Sequence, residues 1–205
     1  MKVSVAERIR RRIHRAGPGA IFLVRDFLDL GSRHAVDETL RRLTQQGMLR
    51  RLQQGVYDYP RVSSLLGILV PPDPAQVAAA LARRTGNRIF PTEAQVASAL
   101  GLTTQVQARN VFLTNGGKKR QFKVGEQTIE LRPTAARYFP LNQSEAVIQG
   151  LRFVGEGNIT EQSIQRLKAQ LNNRQKAALR RKLPDAPGWM QPALLQIVEK
   201  TPENL

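Results

Sequence analysis

The sequence contains no cysteine, only two histidines, and few aromatic residues, which make up 5% of the chain. Without cysteine there is no disulfide, no thiolate metal site and no cysteine nucleophile. His14 and His34 have no further metal-ligand residue at a suitable spacing, so a zinc site is not expected. The low aromatic content also argues against a stacking surface for single-stranded nucleic acid. The sequence therefore predicts no cofactor and no bound metal.

Long hydrophobic runs are also missing. The longest one, Leu65–Val70, is interrupted by Gly67 and ends before Pro71, whereas a membrane-spanning helix needs about 20 apolar residues. The arginine-rich stretch 1–15 lacks the apolar core of a signal peptide. We therefore expect a cytoplasmic protein with no membrane partner.

Motifs of enzymatic chemistry are scarce. Gly17-Pro18-Gly19 lacks the surroundings of a nucleotide-binding loop, and no phosphate-loop lysine motif is present. Gly31-Ser32 is similar to the opening of a nucleotidyltransferase motif, but the paired carboxylates that should follow on a strand are missing. Asp37-Glu38 lies within a predicted helix and does not supply that pair. The sequence predicts a protein that is not an enzyme.

Positive charge is what the sequence has in excess. The 205 residues include 32 lysines and arginines against 16 acidic residues, a net charge of +16. The excess is spread along the chain, with net charges of +6 in residues 1–60, +7 in 61–140 and +3 in 141–205. Because 41% of the residues are hydrophobic, we expect a folded body with a broadly positive surface. Its natural partner is a polyanion, nucleic acid before an anionic membrane.

The first sixty residues read as helices followed by a hairpin. Val5, Ile9 and Ile13 predict an amphipathic helix to about Ala16, followed by a short strand at 20–23 and a short helix at 25–30. Ser32 is a typical N-cap for a third helix that ends at Gly47. The buried stripe of that third helix is Val36, Leu40 and Leu43. Two β-prone runs around Gln53-Gln54-Gly55 then predict a hairpin.

This order predicts a winged helix-turn-helix domain, in which the third helix reads the major groove of DNA. Arg33 and His34 lie on the first turn, which reaches base edges. Arg41, Arg42, Arg50 and Arg51 suit the phosphates. The predicted DNA-binding residues are Ser32, Arg33, His34, Asp37, Arg41, Arg42, Arg50, Arg51, Gln53 and Gln54. Asp37 and Glu38 would repel phosphates, however, and winged helices also serve as protein-interaction modules.

The amino-acid sequence of this region resembles that of the winged-helix domain of AbiE-type antitoxins. The residues that carry the resemblance are Gly31-Ser32-Arg33, Ala35-Val36-Asp37, Leu40, Leu43, Gly47, Leu49-Arg50-Arg51 and Gly55-Val56-Tyr57. Pro71–Pro74, Ala80–Arg84, Ala99–Val106 and Leu113–Gly116 are also similar to longer members of that family, so the resemblance covers roughly residues 5–155.

The resemblance implies a two-part molecule of a type IV toxin–antitoxin system. In that family the winged helix represses the protein's own operon, and the C-terminal part counters a nucleotidyltransferase-like toxin, generally without a stable complex. The family brings no catalytic residues on the antitoxin side. The implied partners are the operator DNA and a cognate toxin.

The rest of the chain is predicted to be α+β. Pro71–Pro74 is a stiff link and a predicted boundary, followed by two helices, a strand at 107–114, a hairpin turn at Asn115-Gly116 and two further strands that form a small antiparallel sheet. The predicted domains are 1–62 (winged helix-turn-helix), 75–155 (α+β, antitoxin type) and 156–205 (basic helical tail, with short helices at 160–171 and 174–183).

A second basic cluster lies beside the predicted hairpin turn. Lys118, Lys119, Arg120 and Lys123 form either a second phosphate-binding site, on DNA or RNA, or a solvated hairpin tip. Three functions follow from the sequence: a DNA-binding antitoxin and regulator, a non-enzymatic module that binds a toxin or another protein without operator recognition, and an RNA-associated protein.

Overall fold

The structure is a computed structural model that describes residues 3–105, 109–135 and 142–199. Within these ranges the chain is α+β, with eight α-helices and two β-sheets. It divides into two compact units, Met1–Ile89 with Arg109–Thr134, and Phe90–Ala108 with Ala135–Leu205. The fold class predicted from the sequence, α+β with a helical C-terminal part, is confirmed.

The first unit begins with two helices and a three-stranded sheet. Its elements are α1 (Val5–Ala16), β1 (Ile21–Leu23), a 3-10 turn (Val24–Phe27), α2 (Arg33–Gln45), β2 (Arg50–Gln53) and β3 (Val56–Asp58). β3 is central and pairs antiparallel with both β1 and β2. The predicted first and third helices, short strand and hairpin are all present. The short helix predicted at 25–30 is instead a 3-10 turn that ends at Phe27, which leaves Leu28 41% exposed.

Helices α1 and α2 pack on one face of this sheet. Ile9 and Ile13 of α1 share a core with Val36 and Leu40 of α2 and with Phe27, and all five are fully buried. Gly31 brings the two helices close, because a Cβ there would lie 2.8 Å from a methyl group of Val5. The packing leaves the opposite side of α2 exposed.

The rest of the first unit is α3 (Pro74–Arg84) and a four-stranded sheet of β4 (Ile89–Phe90), β5 (Asn110–Thr114), β6 (Arg120–Val124) and β7 (Gln127–Pro133), in the order β4-β5-β7-β6. Leu23 and Val56 of the first sheet belong to the same buried cluster as Leu81 of α3 and Ile129 of β7. The link Pro71–Pro74 thus lies inside this unit, where Asp73 caps α3. The three predicted domain ranges differ from the two units and stay predictions about independent domains.

The hairpin predicted at Asn115-Gly116 is wrong. β5 pairs in parallel with β7, which lies between β5 and β6. The tight turn at Gly125, with φ of +58°, joins β6 to β7 as the antiparallel hairpin, and β5 then takes the free edge of β7. The predicted small sheet is therefore mixed. The strand predicted at 107–114 is observed as Asn110–Thr114, and residues 107–108 lie outside the described residues.

Apart from Phe90, the last residue of β4, the regular secondary structure of the second unit is helical over its described residues. Its elements are α4 (Glu93–Ala99), α5 (Gln143–Val154), α6 (Glu161–Gln170), α7 (Asn173–Arg181) and α8 (Gln191–Val198), with 3-10 turns at Glu156–Asn158, Leu183–Asp185 and Gly188–Met190. Val147, Leu151, Leu167, Leu179 and Leu194 form one core. Thr92 caps α4 and Thr160 caps α6, each through its side-chain hydroxyl. No helix in the described ranges is both long enough and apolar enough to cross a bilayer.

Two adjacent residues test the packing beneath α2. Phe27→Ala should lower the free energy of unfolding by roughly 3–5 kcal/mol, because it removes a fully buried ring from the core. The centre of that ring lies 5.4 Å from the centre of the Phe22 ring. Leu28→Ala, at a 41% exposed position, should cost much less. Urea unfolding followed by circular dichroism measures both changes. Equal losses for the two variants would contradict this packing.

Candidate nucleic-acid interface

The exposed side of α2 is fixed at its first turn by Ser32. The Ser32 hydroxyl accepts a hydrogen bond from the Ala35 amide at 3.3 Å, as an N-cap does. Arg33, Asp37 and Arg41 then follow at four-residue spacing on the exposed side, with His34 and Arg42 also exposed. The predicted recognition helix therefore presents the residues that the sequence assigned to it.

Two ion pairs lie along this side of α2. The Arg33 Nε is 2.7 Å from the Asp37 carboxylate, and the Arg41 guanidinium donates to both Glu38 oxygens at 3.0 and 2.6 Å. The bond from Arg41 lowers the pKa of Glu38. Because all four side chains are 46–66% exposed, each pair contributes little stability. An arginine that leaves such a pair to contact a phosphate therefore loses little stabilising free energy.

The hairpin β2–β3 lies beside α2 and is held in place by the rest of the unit. The Gln53 side chain donates to the Lys123 carbonyl at 3.3 Å, and the Gln54 carbonyl accepts from Arg84 at 3.1 Å. Gly55 makes the turn with φ of +72°. Gln53 is thus a structural tether. Arg84, which the sequence analysis did not single out, is found only through the fold, because it lies 30 residues from its partner.

A cleft of about 390 Å³ separates α2 from the hairpin. Arg33, Asp37 and Arg41 line it from the helix, and Arg51 and Gln54 line it from the hairpin. Arg51 is exposed and forms no ion pair with any residue in the described ranges. Three arginines and one carboxylate therefore face a single concave surface, which suits a strongly anionic ligand.

Arg50 has a different environment from the other predicted phosphate contacts. Its guanidinium donates to both oxygens of Asp58, at 3.1 and 2.6 Å, and to the Val70 carbonyl at 3.3 Å. The Asp58 side chain is only 2% exposed, whereas that of Arg50 is 33% exposed. The bond to Asp58 raises the pKa of Arg50. We assign Arg50 to the framework of the hairpin.

The members of the second basic cluster have different surroundings in the second sheet. Lys119 lies 3.3 Å from Glu130, which also accepts hydrogen bonds from Arg132 and Gln121. Together these contacts, led by the one from Gln121, lower the pKa of Glu130 to about 2. Lys118 and Arg120 point to a separate narrow cleft beside Thr85 and Asn87. The cluster is therefore not a uniform hairpin tip.

The comparisons with known proteins place the chain in a family without an assigned role. A family of unknown function, DUF6088, matches residues 8–179. The chain belongs to this family. No curated protein matches the sequence. Within the described ranges, no group of three or more histidine, cysteine or acidic residues is arranged to hold a metal ion.

The role of Arg50 can be separated from that of its neighbour. Arg50→Ala should lower the free energy of unfolding by about 1–3 kcal/mol, because it leaves the buried Asp58 carboxylate without its partner. Arg51→Ala should leave that free energy within about 0.5 kcal/mol of the original value, since the side chain is exposed. Urea unfolding at neutral pH measures both. If Arg50→Ala unfolds with the same free energy as the original protein, Arg50 is not part of the framework of the hairpin.

Glu130 predicts an acid-sensitive sheet. Because its pKa falls from 4.5 to about 2 on folding, its contribution is complete above pH 4.5 and is lost as the pH falls through 2. In Glu130→Gln, the loss of unfolding free energy between pH 5 and pH 2 should be smaller than in the original protein. Glu126→Gln, at an exposed turn, is the matched control. Identical pH profiles for the original protein and Glu130→Gln would contradict the assignment.

Proposed function

We propose that this protein binds duplex DNA as a winged helix-turn-helix regulator. The observation that carries the proposal is the arginine-lined cleft between a capped, exposed helix and a hairpin that follows it. The element order α1-β1-turn-α2-β2-β3 supports this class of domain. In this arrangement α2 enters the major groove, and the hairpin follows the adjacent backbone.

The contacts would divide by their chemistry. Arg33, on the first turn of α2, is placed to reach a base edge, where a bidentate arginine selects guanine. Arg51 and Arg41 contact phosphates, which set affinity and its dependence on salt. The carboxylates of Asp37 and Glu38 neutralise part of this surface when no DNA is bound. The Arg41–Glu38 pair would break in favour of a phosphate, and the Arg33–Asp37 pair in favour of a base.

We further propose that the regulator acts as an antitoxin of the AbiE type. The support is the sequence resemblance over residues 5–155, which includes the α2 and hairpin segments. The protein would repress its own operon and counter a nucleotidyltransferase-like toxin encoded beside it. Co-expression of the neighbouring gene with and without this protein tests that role. Growth arrest that this protein does not relieve would reject it.

A second candidate function is a protein-interaction module. The loop 62–69 exposes Val62, Leu65, Leu66, Ile68 and Leu69 by 56–93%. A Val62–Leu69 bridge and a hydrogen bond from the Ser63 amide to the Ile68 carbonyl at 2.9 Å order this loop. Exposed apolar groups on an ordered loop favour a protein contact. Leu65→Ser should then weaken capture of a partner and leave DNA binding intact.

Substitutions in the cleft test the DNA-binding proposal. Arg33→Ala should lower the preference for the protein's own upstream DNA over random duplex by roughly 1–3 kcal/mol. Arg51→Ala should weaken binding to both duplexes alike and reduce the salt slope by about 1. Fluorescence anisotropy between about 50 and 200 mM salt measures both.

Arg11→Ala is the matched control, because it removes one exposed cation from α1, where Arg11 pairs with Glu7. It should change neither the preference nor the slope by a comparable amount. Equal losses of Arg33→Ala on upstream and random DNA would reject base reading by Arg33. An original protein that shows no preference for its upstream DNA would reject the regulator.

A further inference from the structure

The segment between β5 and β6 forms a glycine-containing loop, residues 115–119, whose base is pinned by side chains. The Asn115 side chain accepts from the Arg88 amide at 2.8 Å, and the Thr114 hydroxyl donates to the Arg88 carbonyl at 2.9 Å and accepts from the Gly116 amide at 3.2 Å. Thr114 is only 3% exposed. The base of the loop is therefore rigid, although its tip is exposed.

A narrow cleft of about 20 Å³ opens beside this loop. The residues that line it and matter here are Thr85, Asn87, Gly116, Gly117, Lys118 and Arg120. A volume of this size holds one small group, since a single water needs about 10–15 Å³. It is too small for a sugar, a base or a whole phosphate, so a phosphate group would place at most one oxygen in the cleft.

The three consecutive cations Lys118, Lys119 and Arg120 have alternating environments. Lys119 pairs with Glu130. Lys118 and Arg120 line the cleft instead and form no ion pair with any residue that the structure describes. Two unpaired cations thus converge on a cleft whose other polar groups are neutral.

The end of α3 also borders the cleft, and the carbonyls of a helix C-terminus disfavour an anion. Here, however, the Ala82 carbonyl accepts hydrogen bonds from the Thr85 amide, the Thr85 hydroxyl and the Asn87 amide, each at 3.0 Å. The Asn87 carboxamide donates to the Thr85 hydroxyl at 2.8 Å. With that carbonyl satisfied, Lys118 and Arg120 dominate the charge at the cleft.

We propose that this cleft is a second binding site, for a backbone phosphate of nucleic acid. Arg120 and Lys118 supply the charge, and Gly116 keeps the cleft open. A Cβ at Gly116 would lie 2.9 Å from the Asn87 side-chain nitrogen. The choice of nucleic acid as the phosphate carrier rests on the proposed DNA binding. The Lys123 carbonyl of β6 accepts the hydrogen bond from Gln53 of the hairpin. Arg120 lies three residues before Lys123 on the same strand, which is about 10 Å along it.

The test compares adjacent lysines in the full chain. Lys118→Gln and Lys119→Gln each remove one charge, so their long-range electrostatics are alike. For a random 24-base-pair duplex at 0.15 M salt, Lys118→Gln should weaken binding roughly fivefold and reduce the salt slope by about 0.9, the effect of one phosphate contact. Lys119→Gln should weaken binding less than twofold. Equal effects of the two variants would overturn the proposal.

A charge-neutral pair gives an independent measurement. Gly116→Ala should weaken binding to the same duplex, because the added methyl group occupies the lining of the cleft and forces the Asn87 side chain, 2.9 Å away, to move. Gly117→Ala is the control, since no atom lies within 4 Å of its Cβ position. Circular dichroism verifies that both variants fold. Equal binding by Gly116→Ala and Gly117→Ala would also overturn the site.

DNA and RNA duplexes of one sequence identify the carrier, since both present the same phosphodiester. A selective loss by Lys118→Gln on either duplex supports the site. The proposed regulator is judged separately, by the preference for upstream over random DNA. The site stands if that preference is missing but Lys118→Gln still differs from Lys119→Gln. If the preference for upstream DNA is present but Lys118→Gln and Lys119→Gln bind the duplex equally well, the second site is rejected and the proposed regulator is not.

Discussion

The register of β3 is the constraint on which the first unit depends. β3 has only three residues, and all of them are buried. Tyr57 faces α1 and α2, Val56 faces α3 and the second sheet, and Asp58 binds Arg50. Because side chains alternate along a strand, a slip of one residue would exchange the two faces. It would also bury the Asp58 carboxylate without its partner. The Asp58–Arg50 pair therefore acts as a register lock that also positions the hairpin beside α2.

The number of arginines overstates the number available to a ligand. Arg50 is held by Asp58, Arg83 by Asp26, and Arg12 by Asp29. Each of these pairs joins two different segments, which lie 8, 57 and 17 residues apart in the sequence, and together they help to build the unit. The cations free to meet an anion are those in weak, exposed pairs and those with no partner among the described residues. Arg33, Arg41 and Arg51 along the cleft beside α2 are among these cations, as are Lys118 and Arg120 at the β5–β6 loop.

The elements of the first sixty residues could be predicted because their signals are local. The Ser32 cap and the Val36, Leu40 and Leu43 stripe lie within a few turns of chain, and the structure confirms both. The order of the second sheet could not be predicted in this way. Asn115-Gly116 has the composition of a hairpin turn, but the pairing of β5 with β7 is decided by the tighter Gly125 turn and the shared core. The partners of Arg50 and Lys119 also depend on pairing across strands.

The cleft beside α2 and the β5–β6 loop belong to one compact unit, and this bears on how DNA binding would work. Gln53 and the Gln54 carbonyl fasten the hairpin to β6 and to α3. A hairpin that is tethered at its turn loses little conformational freedom on binding. A larger part of the free energy of each phosphate contact would therefore contribute to affinity. The Gln53 side chain also links the hairpin to β6 of the second sheet through one hydrogen bond. If DNA binds as proposed, a duplex that follows the hairpin would pass near β6, and the basic loop that precedes this strand would then be within its reach.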